Sequence, residues 1–539
     1  MIDAWLATSL VRHYPRSPSR PGSRISLELP LNQSGSCQVA VRNEAAADTE
    51  PTTLTIAAEA ESLDVQVRRV GYVPMRHRNQ LTPDNEAEGG EHIPGFVPDP
   101  LLENSPFPLP GGETHAWWLT FRPRDGAAPG AYPFAVRISP EGRRARILRG
   151  RVIVHNLRVE PRRDFTVTTW MHHDCLFHHH GLDGFDERFW SILPNYLANL
   201  AAHHHNAVSI PLLTPALDGV RRPQQLLRVR RTGKDRYRFD WRDVGRYLGL
   251  LRRHGIKPEW PHLFTQWGAK HALRVYENDR DNAPLWPPET SAVGESYRRF
   301  LAQLLPEFHQ FLRRERRLGD SIFHVSDEPH ADRLESYRAA RGLIRELAPW
   351  MKTADALSDI AYARAGLVDI PIACTSTALD FIREDLPCWV YYCCGPQGRF
   401  PNRLLDTPLV KIRIQGWLFY RWPFGGFLHW GYNYWNRSDP VVRTSGPLDP
   451  YAEQDAGMWP AWPAGDPFVV YPGRDAPVDS LRWEVLAEGL ADYALLQTAG
   501  MDREDPLLRP LASLEDYPRD ESWLLRLRKQ VLRSAASRS

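Results

Sequence analysis

Predicted strands and helices alternate along the chain from about residue 165 to residue 500, and this alternation restricts the fold more than any other feature. The apolar strand "FTVTTW" (165–170) leads to the amphipathic helix "FWSILPNYLANLAAHH" (189–204), which is followed by the strand "NAVSIPLL" (206–213). Such alternation is typical of a parallel α/β domain. No GxGxxG turn follows any of these strands, and the length of the region favours a (β/α)8 TIM-like barrel over an open sheet.

The rest of this region supplies the remaining elements of the predicted barrel. Further strands are predicted in "KPEWPHLFTQWG" (257–268), "SIFHVS" (321–326), "KTADAL" (352–357), "DIPIAC" (369–374), "PCWVYYCC" (387–394), "LVKIRIQGWLFY" (409–420) and "GGFLHWGYNYW" (425–435). Further helices are predicted at 240–255, 295–319, 333–349 and 480–497 from their apolar spacing. In the last helix we expect Glu484, Glu488 and Asp492 to form a solvated acidic face.

The first 160 residues have a different pattern, with short strands, turns and almost no helical periodicity. Many short strands at this spacing predict a β-sandwich. A chain of 539 residues is also longer than one hydrophobic core usually organises. We therefore predict an N-terminal β-sandwich (1–160), a catalytic (β/α)8 barrel (161–510) and a C-terminal helical tail (511–539).

Charge and composition exclude several classes of partner. Lys and Arg (67) nearly balance Asp and Glu (65), so no basic field predicts binding to nucleic acid or to an anionic membrane surface. Neither an N-terminal apolar segment nor a stretch of about 20 apolar residues is present, so we expect a cytoplasmic protein that does not enter the membrane. The sequence leaves open whether the chain forms a homo-oligomer.

The cysteines and clustered histidines do not match a metal site or a cofactor site. The six cysteines show no CxxC spacing, and the histidines of "MHHDCLFHHH" and "AAHHHNA" occur without an HExxH motif. We expect no metal and no cofactor, and we interpret Cys393 and Cys394 as packing residues.

Two adjacent acids, Asp327 and Glu328, end the stretch "SIFHVSDEPH" (321–330). In a barrel, residues that follow the strands form the open face where function is concentrated. A retaining glycosidase with its own nucleophile holds two carboxyl groups about 5–5.5 Å apart, and an inverting one holds them about 6.5–9.5 Å apart. Adjacent residues do not easily provide either arrangement across a sugar ring. Adjacency suits substrate assistance, in which the 2-acetamido oxygen is the nucleophile. Asp327 would then orient the acetamido group, and Glu328 would be the general acid/base, with a raised pKa on one of the pair.

Acids, histidines and aromatic residues also follow the other predicted strands. The candidate substrate contacts are His173, Asp174, His262, Trp267, Tyr391, Tyr392, Trp430, Tyr432, Asn433 and Trp435. Carboxylates, hydrogen-bonding side chains and flat rings together are typical of a carbohydrate site. We therefore expect an oligosaccharide or glycoside as the substrate.

With these motifs assembled, the chain resembles glycoside hydrolase family 123 and its relatives with the same catalytic-domain pattern. The matching features are "HVSDEPH", "HWGYNYWN" and "GDPFVVYPG" with the helix "SLRWEVLAEGLADYALL", and the resemblance covers about residues 165 to 500 and the preceding β-sandwich. It implies a retaining exo-β-N-acetylgalactosaminidase with substrate assistance, Asp327 as the orienting acid and Glu328 as the acid/base. It also implies a tyrosine on the acetamido oxygen, either Tyr391 or Tyr392.

Two other functions remain open from the sequence. One is a glycosidase for a different sugar, in which another carboxylate such as Asp174 is the nucleophile. The other is a carbohydrate-binding barrel without catalytic activity.

Overall fold

The N-terminal part of the chain forms two separate β-sheets. The computed structural model describes residues 1–20, 24–214, 224–260, 262–265, 269–278, 283–437, 446–454 and 462–538. The N-terminal strands are β1 (Ile2–Thr8), β2 (Ser26–Pro30), β3 (Gly35–Asn43), β4 (Thr52–Ala60), β5 (Leu63–Met75), β6 (Gly95–Glu103), β7 (Phe107–Leu109), β8 (Thr114–Pro123), β9 (Gly130–Pro140) and β10 (Arg146–His155). The sheets run β1-β3-β8-β5-β6 and β2-β10-β9-β4-β7.

Both N-terminal sheets contribute to one apolar cluster. Val39 and Trp117 come from the first sheet, and Ile56, Phe134 and Val136 come from the second. Buried and exposed residues alternate along β4 and β9, so the second sheet has one apolar face, whereas β3 and β8 of the first sheet are buried on both faces. The separate sheets confirm the strand-rich N-terminal region, while the packing of the two as a sandwich and the domain limits at 160 and 510 stay predictions.

Eight parallel strands close into a barrel, as predicted. The strands after the N-terminal sheets are β11 (Thr166–Thr169), β12 (Ala207–Ser209), β13 (Arg228–Gly233), β14 (Arg236–Asp240), β15 (Lys257–Trp260), β16 (Tyr276–Glu277), β17 (Ala283–Pro284), β18 (Ile322–His324), β19 (Thr353–Leu357), β20 (Ile370–Cys374), β21 (Trp389–Tyr391), β22 (Gly426–His429), β23 (Asn436–Arg437), β24 (Gly446–Pro447), β25 (Tyr471–Pro472) and β26 (Pro477–Val478). The barrel order is β11-β12-β15-β18-β19-β20-β21-β22, and β22 pairs with β11.

Eleven α-helices are present in the described part of the chain. They are α1 (His173–His180), α2 (Glu187–Ala202), α3 (Arg242–Arg253), α4 (Glu295–Arg314), α5 (Leu334–Leu347), α6 (Ala361–Arg364), α7 (Ala378–Arg383), α8 (Leu409–Arg413), α9 (Gln415–Arg421), α10 (Leu481–Thr498) and α11 (Glu521–Ala536). Short 3-10 turns lie at Asp84–Glu86, Ala331–Arg333 and Pro506–Leu508. None of the described helices is long and apolar enough to cross a membrane.

The strand predicted at 409–420 is wrong, because this stretch forms α8 and α9. Both helices are buried, so the sequence shows a continuous apolar run instead of the periodicity that separates a helix from a strand. A Cβ atom added to Gly416 would lie 1.8 Å from the carbonyl oxygen of Gly489. The close approach of α9 to α10 therefore requires glycine at this crossing.

The solvated acidic face predicted for α10 is also wrong. Fourteen of its 18 residues are buried, since α10 contacts α8, α9, α11 and the N-terminal strand β6. Asp492 lies 3.0 Å from Arg413 and 2.6 Å from Arg528, and Glu488 lies 2.7 Å from Arg413. These acids are neutralised by arginines of neighbouring elements, which a sequence pattern within one helix does not reveal.

A buried ion pair attaches the N-terminal sheets to the barrel. Arg482 of α10 and Asp99 of β6 are both fully buried, with Nη2 2.8 Å from Oδ2. Arg482 also donates to the carbonyl oxygens of Arg403 (2.9 Å), Gly465 (2.6 Å) and Phe468 (3.0 Å). One guanidinium thus joins strand β6, helix α10 and two loops at the C-terminal end of the barrel.

Candidate active site

The alternation of side chains at the end of strand β21 determines which of two adjacent tyrosines faces the interior of the barrel. Side chains alternate along a strand, and Trp389, Tyr391 and Cys393 belong to the apolar cluster inside the barrel. Tyr391 donates a hydrogen bond from its hydroxyl to Glu328 Oε1 at 2.8 Å. Tyr392 points the other way and donates to Gln415 Oε1 at 2.7 Å. Only Tyr391 therefore reaches the acid pair.

The acid pair follows β18 at the C-terminal end of the barrel. Asp327 is buried, with 8% of its surface exposed, whereas Glu328 is half-buried. The amide of Glu328 donates to the carbonyl oxygen of Ala356 at 3.1 Å, which ties this segment to β19. Glu328 has a φ of +38°, a left-handed conformation that costs free energy in a residue other than glycine. Strain of this kind is often found at functional positions.

Burial distinguishes the two carboxyl groups electrostatically. Burial and the neighbouring charge of Glu328 raise the pKa of Asp327 well above its usual range, and the positive charge of His324 opposes that rise. The raised pKa that the sequence predicted for one member of the pair therefore falls on Asp327.

A buried carboxylate, Glu259 of β15, lies in the layer beneath the acid pair. It accepts hydrogen bonds from Thr168 Oγ1 and from Trp170 Nε1, the latter at 2.7 Å. Its Oε1 atom lies 2.8 Å from His324 Nε2. Glu259 thus fixes the half-buried indole of Trp170 and one side of the His324 ring.

Asp355 of β19 holds the other side of His324 and the start of the acid-bearing segment. Its Oδ1 atom lies 3.5 Å from His324 Nδ1 and accepts hydrogen bonds from the amides of Val325 (3.0 Å) and Ser326 (3.1 Å). The hydroxyl of Tyr337 on α5 donates to its Oδ2 atom. Burial by itself would lower the pKa of His324, but the carboxylates of Asp355 and Glu259 raise it to about 10. His324 is therefore an imidazolium at neutral pH.

His262, a predicted substrate contact, lies next to this layer. Its ring packs edge-to-face against Trp170 at 5.3 Å and against His324 at 5.4 Å between centroids. Burial, with the charge of His324, holds its pKa well below the usual range, so His262 is neutral. Neither of its ring nitrogens has a hydrogen-bond partner in the described part of the chain. The other predicted contact on this loop, Trp267, lies outside the described residues.

A third carboxyl group, Asp466, lies near the acid pair and was missed by the sequence prediction. Burial and the charge of Glu328 raise its pKa to about 7, against the opposing effects of Arg403 and Trp430. Its Oδ2 atom accepts a hydrogen bond from Trp430 Nε1 at 3.1 Å, and Oδ1 lies 3.4 Å from His429 Nε2. Asp466 thus orients the predicted contact Trp430. The motif "GDPF" contains it, but no predicted strand ends there.

Glycine is required where the chain leaves β22 and passes the Asp466 segment. A Cβ atom on Gly431 would lie 2.2 Å from the carbonyl oxygen of Asp466. Arg403 binds the same segment through its Nη2 atom, which donates to His429 Nδ1 (2.6 Å) and to the carbonyl oxygen of Gly431 (2.5 Å). The position of Trp430 is therefore set by the backbone on both sides.

Two polar residues among the predicted contacts have partners within the loops that follow β11 and β22. Asn433 donates to the carbonyl oxygen of His172 at 3.0 Å and accepts from its amide at 2.9 Å, so its side chain joins the two loops. Asp174, on the first turn of α1, accepts a hydrogen bond from Asn436 at 3.1 Å.

The remaining predicted contacts lie in packing layers away from the acid pair. These are His173 (bonded to the Tyr247 hydroxyl, 2.9 Å), Tyr432 (to Asn199, 2.9 Å), Trp435 (to the Val470 carbonyl oxygen, 3.0 Å) and Tyr392. All four are buried. The position of a residue after a strand does not show whether its side chain faces the acid pair or packs into a neighbouring layer, because this depends on the conformation of each loop.

Cys393 lies at the edge of the site as a protonated thiol. Its Sγ atom is 4.0 Å from Glu328 Oε1 and 3.6 Å from Cys394 Sγ. The hydrogen bond with Cys394, burial and the nearby carboxylates raise the pKa of the Cys393 thiol well above its usual range. A thiol in this state is a weak nucleophile, which agrees with its interpretation as a packing residue.

One cluster in the described residues has the composition of a metal site, but its chemistry argues against a metal. His203, Asp479 and Glu484 place ligand atoms within 4.8 Å of one another between α2 and α10. Arg68 of the N-terminal sheet lies 2.7 Å from Asp479 and 2.5 Å from Glu484. The guanidinium of Arg68 forms ion pairs with both carboxylates, so the cluster is an ion-pair network between the barrel and the N-terminal sheets.

Comparisons with known proteins agree with this geometry. The model of the glycoside hydrolase 123 catalytic domain matches residues 170–499. A family 123 glycoside hydrolase from Clostridium perfringens, described in connection with glycolipid glycan hydrolysis, has a TM-score of 0.75 at 13% identity, covering 100% of this chain and 98% of that chain. This likeness supports the fold. A sequence search of the curated proteins finds no match.

Other solved structures have lower similarity. A GH10 xylanase with a bacterial Ig-like domain from termite gut has a TM-score of 0.34 at 8% identity, covering 88% of this chain and 100% of that chain. A Bacteroides ovatus GH5 xyloglucanase has a TM-score of 0.30 at 9% identity, covering 86% and 98%. Neither value is high enough to inform the site.

Proposed function

Because the chain belongs to glycoside hydrolase family 123 and is therefore a glycosidase, we propose that it is a retaining exo-β-N-acetylgalactosaminidase that works by substrate assistance. The observation that carries this proposal is the adjacency of Asp327 and Glu328 after β18, with Tyr391 bonded to Glu328. The substrate would be an oligosaccharide or glycoside with a terminal 2-acetamido sugar. Two neighbouring acids at one strand end suit a nucleophile supplied by the substrate better than a nucleophile on the opposite face of the ring.

The proposed reaction has two steps. In the first, Asp327 accepts a hydrogen bond from the acetamido N–H, the acetamido oxygen attacks C1, and Glu328 protonates the leaving oxygen as the C1–O bond breaks. The product of this step is an oxazolinium ion whose positive charge is paired with the Asp327 carboxylate. In the second step, Glu328 accepts a proton from water, which attacks C1 and breaks its bond to the acetamido oxygen, with overall retention. No cofactor is needed for either step.

The protonation state of the pair follows from burial and from the substrate. Burial and the charge of Glu328 raise the pKa of the Asp327 carboxyl group, which favours its protonated form before substrate binds. A hydrogen bond from the acetamido N–H favours the ionised form of Asp327. The proton then moves to Glu328, the half-buried member of the pair. In this view substrate binding itself prepares the general acid.

We also propose that Tyr391, rather than Tyr392, contacts the acetamido oxygen. Replacing Tyr391 with Phe removes the hydroxyl 2.8 Å from Glu328 and should lower kcat/KM roughly ten- to a hundredfold, the usual worth of a hydrogen bond to a charged group. Tyr392→Phe is the matched control, since it removes a hydroxyl bound to Gln415 and should leave kcat/KM within about twofold. Equal losses of kcat/KM in both variants would remove Tyr391 from this role.

A pair of aryl glycosides tests the proposed function directly. We expect hydrolysis of 4-nitrophenyl β-N-acetylgalactosaminide and no measurable hydrolysis of 4-nitrophenyl β-galactoside, because only the first carries the internal nucleophile. Turnover of the galactoside at a comparable rate would favour an enzyme nucleophile, and a fluorinated galactoside that forms a covalent adduct would identify it. No turnover across a panel of sugars, with binding retained, would favour a carbohydrate-binding barrel.

The sugar-binding surface is proposed from the side chains nearest the acid pair. Among the described residues, none hydrogen-bonds the ring nitrogens of His262, which lies beside Trp170, and Trp430 is oriented by Asp466. We propose that these residues bind hydroxyls and apolar faces of the sugar.

Asp174 remains the candidate nucleophile of the alternative mechanism, although its carboxylate is bound to Asn436. The division into an N-terminal β-sandwich, a barrel and a helical tail is proposed at residues 160 and 510.

A further inference from the structure

We propose that His324, held between Glu259 and Asp355, is a positioning residue whose cation acts together with the acetamido N–H of the substrate to shift the one proton of the acid pair from Asp327 to Glu328. This inference rests on the proposed function, since it concerns how Glu328 becomes the acid. It assigns a role to a buried charged layer that contacts neither the solvent nor the reacting bond.

The geometry fixes His324 in both position and charge. Its two ring nitrogens lie 2.8 Å from Glu259 and 3.5 Å from Asp355, and only 1% of its side chain is exposed. Glu259 is itself held by Thr168 and Trp170, and Asp355 by two backbone amides. The oxygen of a carboxylate lies near each ring nitrogen, so both neighbours favour a positive charge on the ring through ion-pair contacts, although neither contact has hydrogen-bond geometry. The raised pKa of His324 agrees with this arrangement.

His324 is also connected to the acid pair through the backbone. Asp355 binds the amides of Val325 and Ser326, which lie between His324 and Asp327. The cation and the buried acid are therefore held at a set separation. The charge of His324 lowers the pKa of Asp327.

Several other titratable groups face this layer. They are His262 and Glu259 from the β15 side, Asp355 from β19, Tyr337 from α5, Glu328 beside Asp327, and Tyr391, Cys393 and Asp466 around Glu328. His262 is neutral, and the carboxylates oppose ionisation of Asp327. His324 is the cation that favours the Asp327 carboxylate, and it thereby releases the proton for Glu328.

The first test measures the ionisation of Asp327 without using activity. The carboxyl carbon of Asp327, labelled with carbon-13 and assigned by its loss in Asp327→Asn, is titrated by NMR in the wild-type protein and in the double variant Glu259→Gln/His324→Gln. The double variant removes one positive and one negative charge, so the net charge of the buried layer is unchanged. We expect its titration midpoint to be higher by roughly one to three pH units, the usual effect of losing an opposite charge at short range. An unchanged midpoint overturns the proposal.

The second test measures the pH dependence of kcat/KM for 4-nitrophenyl β-N-acetylgalactosaminide. In the double variant both limbs of the profile should move to higher pH, and kcat/KM at pH 6 should fall at least about tenfold, because the proton stays on Asp327. His309→Gln is the control, since His309 stacks on Trp350 outside the barrel. A purely structural role of His324 would lower the activity without moving the limbs, and that result would contradict the proposal.

The two tests separate this inference from the proposed function. A wild-type protein that cleaves no aryl glycoside contradicts the function, while the carboxyl titration still decides whether His324 controls Asp327. Long-range proton–nitrogen spectra provide an independent check on the wild-type protein. They should show both ring nitrogens of His324 protonated at pH 8, and a neutral ring would overturn the proposal.

Discussion

Glu328→Gln is expected to lower kcat for 4-nitrophenyl β-N-acetylgalactosaminide by roughly a hundred- to ten-thousand-fold, the range for loss of a general acid. The amide of glutamine still accepts the hydrogen bond from Tyr391, so the local contacts of the side chain are kept. What is lost is the proton for the leaving oxygen. A substrate with a better leaving group, such as a 2,4-dinitrophenyl glycoside, should recover much of the rate.

Steady-state kinetics on both substrates separate acid catalysis from general damage. Glu335→Gln is the matched control, because this glutamate lies on α5 with 84% of its side chain exposed. It should behave like the wild type. A Glu328→Gln enzyme with an undiminished kcat on the nitrophenyl substrate would falsify the acid role of Glu328.

Arg482→Met is expected to have the largest effect on stability. It leaves the fully buried carboxylate of Asp99 without its cation and the carbonyl oxygens of Arg403, Gly465 and Phe468 without a donor. Removing one partner of a buried ion pair costs about 3–5 kcal/mol. The midpoints of urea and thermal unfolding should therefore fall markedly, with the N-terminal sheets and the barrel affected together.

Two further variants test the reason for this effect. Arg364→Met breaks a pair with Glu384 in which both side chains are exposed, and it should change the free energy of unfolding by about 1 kcal/mol or less. The double variant Asp99→Asn/Arg482→Met removes both charges and should be more stable than Arg482→Met alone. If Arg482→Met unfolds at the same midpoint as Arg364→Met, the ion pair does not attach the two regions.

The barrel could be predicted from the sequence because its signals are local. Apolar strands such as 165–170 and capped amphipathic helices such as 240–255 each occupy one continuous stretch. The structure places β11 and α3 within them. The prediction failed at α8 and α9, where the sequence pattern predicts a strand, and at the acidic face of the correctly predicted helix α10, because burial removes the contrast between apolar and polar faces.

The candidate site could be predicted only in part, since its geometry depends on distant segments. The acid pair was identified from residues 327 and 328 alone, because a strand end followed by two acids is a local pattern. The distinction between Tyr391 and Tyr392 depends on the register of β21. Asp466 reaches Trp430 from a separate loop, so no spacing in the sequence indicates it.

The charged layer beneath the pair was not predicted for a similar reason. Glu259, His324 and Asp355 come from three neighbouring strands, and each appears in the sequence as one polar residue within an apolar stretch. Only the parallel pairing of β15, β18 and β19 brings them together. Partners in these pairings lie 63 residues apart (Glu259 and Ile322) and 30 residues apart (Phe323 and Thr353), so the pairing is a property of the fold rather than of any motif.

The left-handed backbone of Glu328 has a geometric consequence for the acid pair. In an extended chain consecutive side chains point to opposite sides, so two neighbouring acids would be divided between the interior and the exterior of the barrel. A φ of +38° turns the chain at Glu328 and ends that division. The charge of Glu328 then acts on the carboxyl group of Asp327 and raises its pKa. One backbone torsion thus converts two successive residues, which a strand would separate, into a chemical pair.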